Sequence, residues 1–116
     1  MESRDLAIFQ YLAYEMPGED SKKTNEKIRR KLRRSGLGDY DQAQVDRLRS
    51  LRDDLEQEIR KFDRSQYYKP SQIEFASLDK FDCERMVRDF GNAYPSVSRS
   101  DVGSIVGFAL YYYYLR

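Results

Sequence analysis

An unbroken apolar stripe between residues 45 and 62 constrains this chain more than any other feature. Val45, Leu48, Leu51, Leu55, Ile59 and Phe62 recur at steps of three or four, which places them on one face of an α-helix. No Gly or Pro interrupts the stretch from Tyr40 to Arg64. The pattern predicts a single helix there, roughly 34 Å long at about 1.5 Å per residue. Its start is marked by Asp41 as N-cap, with Gln44 placed to reach back and complete a capping box. Tyr40 and Val45 have the spacing of a hydrophobic staple around that cap. A helix of this length spans a small domain, so the remaining segments are expected to pack along it.

Those segments also read as helices. Ser3 can cap a first helix from Arg4 to about Met16, with Leu6, Phe9, Leu12, Ala13 and Met16 inward. Ile8, Tyr11 and Tyr14 widen that face, and Pro17-Gly18 stops the helix. Ser21 opens a second helix from Lys22 to about Arg34. Gly36 suits the left-handed position past its end and brings Leu37 towards Leu32 in a Schellman motif. Helices two and three are then expected to form a central antiparallel hairpin.

Ser71 and Glu74 have capping-box spacing for a fourth helix carrying Phe75, Leu78, Met86, Val87 and Phe90 and ending at Gly91. Residues 72–77 alternate, so a short extended piece before a helix from Ser77 is the rival expectation. A last helix starts at Ser98 or Ser100 and buries Val102, Ile105, Val106, Ala109, Leu110 and Tyr113. Gly103 and Gly107 lie one turn apart on it and would admit a close backbone neighbour. The fold class expected is all-α: one domain over residues 1–116, a small bundle of about five helices. No internal repeat or low-complexity tract is present.

Composition limits the chemistry. The chain has no histidine and a single cysteine. Ser-His-Asp and Cys-His catalysis are therefore excluded within it, and a closed zinc site lacks ligands. Cys83 sits between Asp82 and Glu84, which disfavour its thiolate; a small side chain on a half-buried face accounts for it. The acidic pairs Asp53-Asp54 and Asp79 with Asp82 lack the order of a calcium loop. Gly36-x-Gly38 lacks the lysine of a phosphate loop. The expectation is a non-enzyme without cofactor or metal. The longest uncharged run, Val102–Leu115, is shorter than the roughly 20 residues of a membrane span. With no signal-peptide pattern at the N-terminus and one cysteine, a cytoplasmic protein without a membrane partner is expected.

Net charge is only +1, yet residues 21–36 hold eight basic side chains against Glu26 alone. They are Lys22, Lys23, Lys27, Arg29, Arg30, Lys31, Arg33 and Arg34. At 100° per residue Lys23, Lys27, Arg30, Lys31 and Arg34 form a stripe, flanked by Arg29 and Arg33. Three readings compete. The cations pair internally with acids such as Asp46, Asp53 and Asp54; or they meet an acidic face of a protein partner; or they sit on nucleic-acid phosphates.

Tyrosines form the second notable group, ten in all, with four consecutive at 111–114. Those four point to every side of a helical turn, so one or two must face solvent or a partner. Tyr67, Tyr68, Tyr111, Tyr112 and Tyr114 are the candidate aromatic interface. Tyrosines could also stack bases, but the sequence places none of them beside the basic helix.

The function expected is stoichiometric binding to a protein partner with an acidic surface. An adaptor, an immunity-type protein or a phage or mobile-element inhibitor fits that description. The alternative is a nucleic-acid-binding accessory protein that contacts phosphates. A homodimer is a further expectation, from the two-sided first helix and the long stripe.

Overall fold

Helix-forming periodicity dominates the chain, and the computed structural model, which describes residues 3–69 and 81–115, is all-α. Five α-helices occur among the described residues: α1 (Arg4–Ala13), α2 (Ser21–Ser35), α3 (Gln42–Ile59), α4 (Cys83–Ala93) and α5 (Arg99–Leu110). A 3-10 turn, Phe62–Arg64, follows α3, and a π-helical turn, Tyr111–Leu115, continues α5. The chain divides into two compact units, Met1–Arg52 and Asp53–Arg116, with the boundary inside α3. The capping box at Ser71 and Glu74, the apolar positions Phe75 and Leu78, and the helical or extended alternative for 72–77 lie outside the described residues.

In the first unit, Ser3 caps α1 by accepting the Leu6 N–H at 3.2 Å. Ala7, Ile8, Phe9, Leu12 and Ala13 are buried. The helix ends at Ala13 rather than Met16, and Tyr14 and Met16 are exposed. The reason is a tightened exit. The Glu15 N–H donates to the Leu12 carbonyl, and the Met16 N–H goes to the Glu19 carboxylate at 2.9 Å. Glu15, expected nowhere in the core, is turned inward instead.

α2 lies against α1. Asp20, not Ser21, caps it by accepting the Lys22 N–H at 3.0 Å. Its exit is the expected Schellman motif: Gly36 has φ +63°, the Leu37 N–H reaches the Leu32 carbonyl at 2.9 Å, and the Gly36 N–H reaches Arg33. Only Thr24, Ile28 and Leu32 of α2 are buried. These recur every fourth residue, so the helix gives a narrow strip to the core and most of its circumference to water.

Asp41 caps α3 through the Ala43 N–H at 3.0 Å. Gln44 does not reach back to the cap. Its amide donates to Asp5 and its carbonyl accepts from Arg47. Val45, Leu48, Leu51, Leu55 and Ile59 are all fully buried. Phe62 departs from the expected stripe. α3 stops at Ile59, and Phe62 takes φ +52° with its side chain exposed.

In the second unit, α4 is capped by Asp82, whose side chain accepts the Arg85 N–H at 3.2 Å. Phe81 lies ahead of it in an isolated antiparallel bridge with Tyr68, so the expected helix through 81–82 is interrupted there. Gly91 is inside α4, not at its end. α5 packs on α4 and buries Val102, Ile105, Val106, Ala109 and Leu110; Ser98 caps it through the Asp101 N–H. Gly103 and Gly107 admit no close neighbour. A Cβ at either would meet nothing within 4 Å, because both lie off the face that α5 buries.

Candidate interaction surface

Because its buried strip is so narrow, α2 displays its cations. Lys22, Lys23, Lys27, Arg29, Arg30, Arg33 and Arg34 are exposed and Lys31 is half-buried. Arg29 pairs loosely with Glu26 at 3.6 Å. Among the described residues Lys22, Lys23, Lys27, Arg30, Arg33 and Arg34 form no ion pair. Two of the acids expected to neutralise them are engaged elsewhere. Asp46 accepts from Gln42 and lies 3.9 Å from Arg49, and Asp54 accepts the Tyr94 hydroxyl.

The two flanks of α2 differ. On one, the Arg29 guanidinium lies 4.4 Å from the Tyr40 ring centroid. Arg29, Arg33, Gly38, Asp39 and Tyr40 line a notch of about 290 Å³. Arg4 holds the adjoining loop, donating to the Asp39 carbonyl at 2.6 Å. On the other flank Lys27 and Lys31 face α1. A pocket of about 290 Å³ is lined by Gln10, Tyr11, Tyr14 and Lys31. A second, of about 200 Å³, is lined by Tyr11, Tyr14, Glu15, Glu19, Thr24 and Lys27. Tyr11 and Tyr14 are thus the aromatics on this flank of the basic helix, as Tyr40 is on the other. The sequence assigned Tyr11 and Tyr14 to a widened core face, because helical periodicity cannot say which side of α1 meets α2.

A buried polar cluster fixes this geometry. The Glu15 carboxylate accepts from Arg49 at 3.0 Å and from Arg52 at 2.7 Å, and its side chain is only 8% exposed. Arg52 also donates to the Leu12 carbonyl, and Arg49 to Asn25. Burial alone would push the Glu15 carboxyl up. Hydrogen bonds from Arg49, Arg52 and Thr24 outweigh burial and bring it down from 4.5 to about 2. The cluster joins the exit of α1 to α2 and α3 inside the first unit.

The tyrosines named from sequence lie in the second unit, and they fare differently. Tyr67 is buried, which corrects its assignment to an exposed interface. Its hydroxyl donates to Asp89 at 2.9 Å and the Arg85 guanidinium sits 4.9 Å from its ring centroid. Arg85 in turn holds the Gln66 carbonyl and side chain. Burial and the Asp89 hydrogen bond push the Tyr67 phenol up to about 12. The neutral phenol is therefore favoured by the fold. Its contribution to stability is full below pH 10 and is lost as pH rises through 12. Alkaline titration followed by phenolate absorbance should show Tyr67 ionising late, together with unfolding. Tyr67→Phe should remove that late phase and cost about 1 kcal/mol; an unchanged titration curve would sink the assignment.

Tyr68 is half-buried, edge-on to Phe81 at 5.9 Å. Tyr111 is exposed, Tyr112 is half-buried and stacked on Phe108, and Tyr114 lies half-buried between Phe62 and Phe81. Tyr113 is buried near Arg60. Of the four rings on this turn, Tyr111 is thus the one on the exposed side, as the turn's geometry requires.

Among the described residues no group of three or more Cys, Asp or Glu side chains is placed to hold a metal ion, and no helix is long and apolar enough to cross a membrane. In comparisons with known proteins, the chain matches no protein-family model, no curated protein and no solved structure.

Proposed function

We propose that this chain is a non-enzymatic module that binds an acidic macromolecule stoichiometrically through α2. The observation that carries the reading is the exposed cationic surface of that helix, whose charge the described acids of its own unit leave largely uncompensated. Solvated lysines and arginines are cheap to keep, but eight against one acid on a single helix create a local potential that attracts a polyanion.

Two partner classes supply such charge. An acidic protein face, as an adaptor or inhibitor would use, is supported by the Arg29–Arg33 flank. There the Arg29 guanidinium lies against the Tyr40 ring with Arg33 beside it, and a guanidinium fork suits bidentate pairing with a carboxylate. A nucleic acid is supported by Tyr11 and Tyr14 beside Lys27 and Lys31, an arrangement that serves rings as well as charges.

The test is charge reversal at Lys23, Arg30 and Arg34, which are exposed and form no ion pair among the described residues. Wild-type protein should be retained by an immobilised polyanion such as heparin at physiological salt. The triple Glu variant should keep its helical circular dichroism and elute at clearly lower salt. Equal elution of the two proteins would remove α2 as the contact.

A further inference from the structure

We infer that the groove between α1 and α2 is a binding site for single-stranded nucleic acid, with a base stacked on Tyr14 and phosphates on the lysines of α2. The inference rests on the reading of α2 as a polyanion contact and adds what that reading lacks, a reason for the rings.

Tyr14 is 54% exposed at the exit of α1, with Met16 exposed after it. The two pockets of the groove share Tyr11 and Tyr14 and divide the cations between them, Lys31 in one and Lys27 in the other. Lys27 and Lys31 are one turn apart, about 6 Å along the helix axis at about 1.5 Å per residue. Flexible lysines at that spacing can follow successive phosphates of one strand. Gln10, in the same lining as Tyr14, offers both an amide donor and an acceptor to a base edge.

Two carboxylates line the groove, and only one of them keeps an uncompensated charge towards an incoming phosphate. Glu15 is neutralised by Arg49 and Arg52. Glu19 remains charged, with one oxygen turned to the Met16 N–H, and it lines only the Lys27 pocket and not the one that holds Lys31.

The ring arrangement selects among polyanions. An acidic protein face is met by the cations of α2 alone, and the exposed Tyr14 ring beside Lys31 and the half-buried Tyr11 add a stacking surface that carboxylates do not need. A duplex keeps its bases stacked on one another, so it offers no π-face to Tyr14. A single strand presents both, and stacking on tyrosine is tolerant of base identity. The site should therefore show little sequence preference and strong dependence on salt.

Fluorescence anisotropy decides between these. The probes are end-labelled 20-mers of oligo-dT and oligo-U, a DNA duplex of equal length, and labelled poly-glutamate, each at low and at physiological salt. The variants are Tyr14→Ala, Tyr14→Phe and Lys27→Glu, all at exposed positions, with circular dichroism as the folding control. The single strands should bind at least about tenfold more tightly than duplex or poly-glutamate. Tyr14→Ala should lose about tenfold for the single strands alone, a change of about 1.4 kcal/mol. Tyr14→Phe should restore most of it, and Lys27→Glu should flatten the salt dependence. Equal affinity for single strand and duplex with Tyr14→Ala silent would overturn the stacking site while leaving α2 as a polyanion contact. Preference for poly-glutamate would overturn it in favour of an acidic protein. Absence of binding to every polyanion would remove both this inference and the reading beneath it.

Discussion

Replacing Glu15 with alanine is expected to destabilise the first unit by roughly 3 kcal/mol, the lower end of the cost of breaking a buried ion pair. Its carboxylate holds the guanidiniums of Arg49 and Arg52 at 3.0 and 2.7 Å, and both arginine side chains are themselves largely shielded from water. Without the acid, two cations remain partly buried beside the Leu12 carbonyl and Asn25, which cannot compensate their charge. The pH dependence has a fixed sign. The Glu15 carboxyl titrates at about 2 in the fold instead of 4.5. Its contribution is therefore fully present above 4.5 and is lost as pH falls from there through 2. Urea unfolding of wild type and Glu15→Gln at a series of pH values checks this. The gap between the two proteins should be widest near neutrality and should narrow in that acid window. A gap that stays constant down to pH 2 would mean that the carboxylate charge is not what holds the cluster.

The second large effect separates two residues that the sequence treats as equivalents. Ile59 and Phe62 are consecutive members of the apolar stripe. Ile59 is fully buried, and Ile59→Ala is expected to cost about 2–5 kcal/mol through lost transfer free energy and the cavity left behind. Phe62 is 47% exposed and adopts φ +52°. That left-handed conformation costs a side chain other than Gly, Asn or Asp about 1–2 kcal/mol. Its return is a tilted contact with Tyr114 at 6.0 Å between ring centroids, worth about 0.5–1.5 kcal/mol. Phe62→Asn relieves the strain and gives up the ring, so it should lie within about 1 kcal/mol of wild type. Chemical denaturation of both variants tests the pair. Equal losses would show that the stripe does extend to Phe62 in solution.

These two cases mark where local pattern ends and packing begins. The sequence by itself determined the helical class, because apolar residues at steps of three and four admit no other element over these lengths. It also determined the ends that depend on neighbours in the chain: Ser3, Asp41 and Ser98 as caps, and the Gly36–Leu37 turn that closes on Leu32. It marked α2 as a charged helix with a narrow buried strip, since only Ile28 and Leu32 are apolar within it.

Tertiary structure decided everything that depends on which face meets which. It ended α3 at Ile59 without a Gly or Pro, through the Lys61 N–H closing on the Glu58 carbonyl and the turn at Phe62. It turned Gly103 and Gly107 away from close packing and interrupted the expected fourth helix at the Tyr68–Phe81 bridge. It buried Tyr67 by supplying Asp89, 22 residues away, as the acceptor for its hydroxyl. It drew Glu15 inward because Arg49 and Arg52, more than 30 residues on, supply the charge that lets a carboxylate leave water. It also set Tyr11 and Tyr14 beside Lys27 and Lys31. Periodicity records the spacing of residues along one helix and carries no information about the azimuth at which a second helix approaches it. The groove, which depends on that azimuth, exists only in the folded chain.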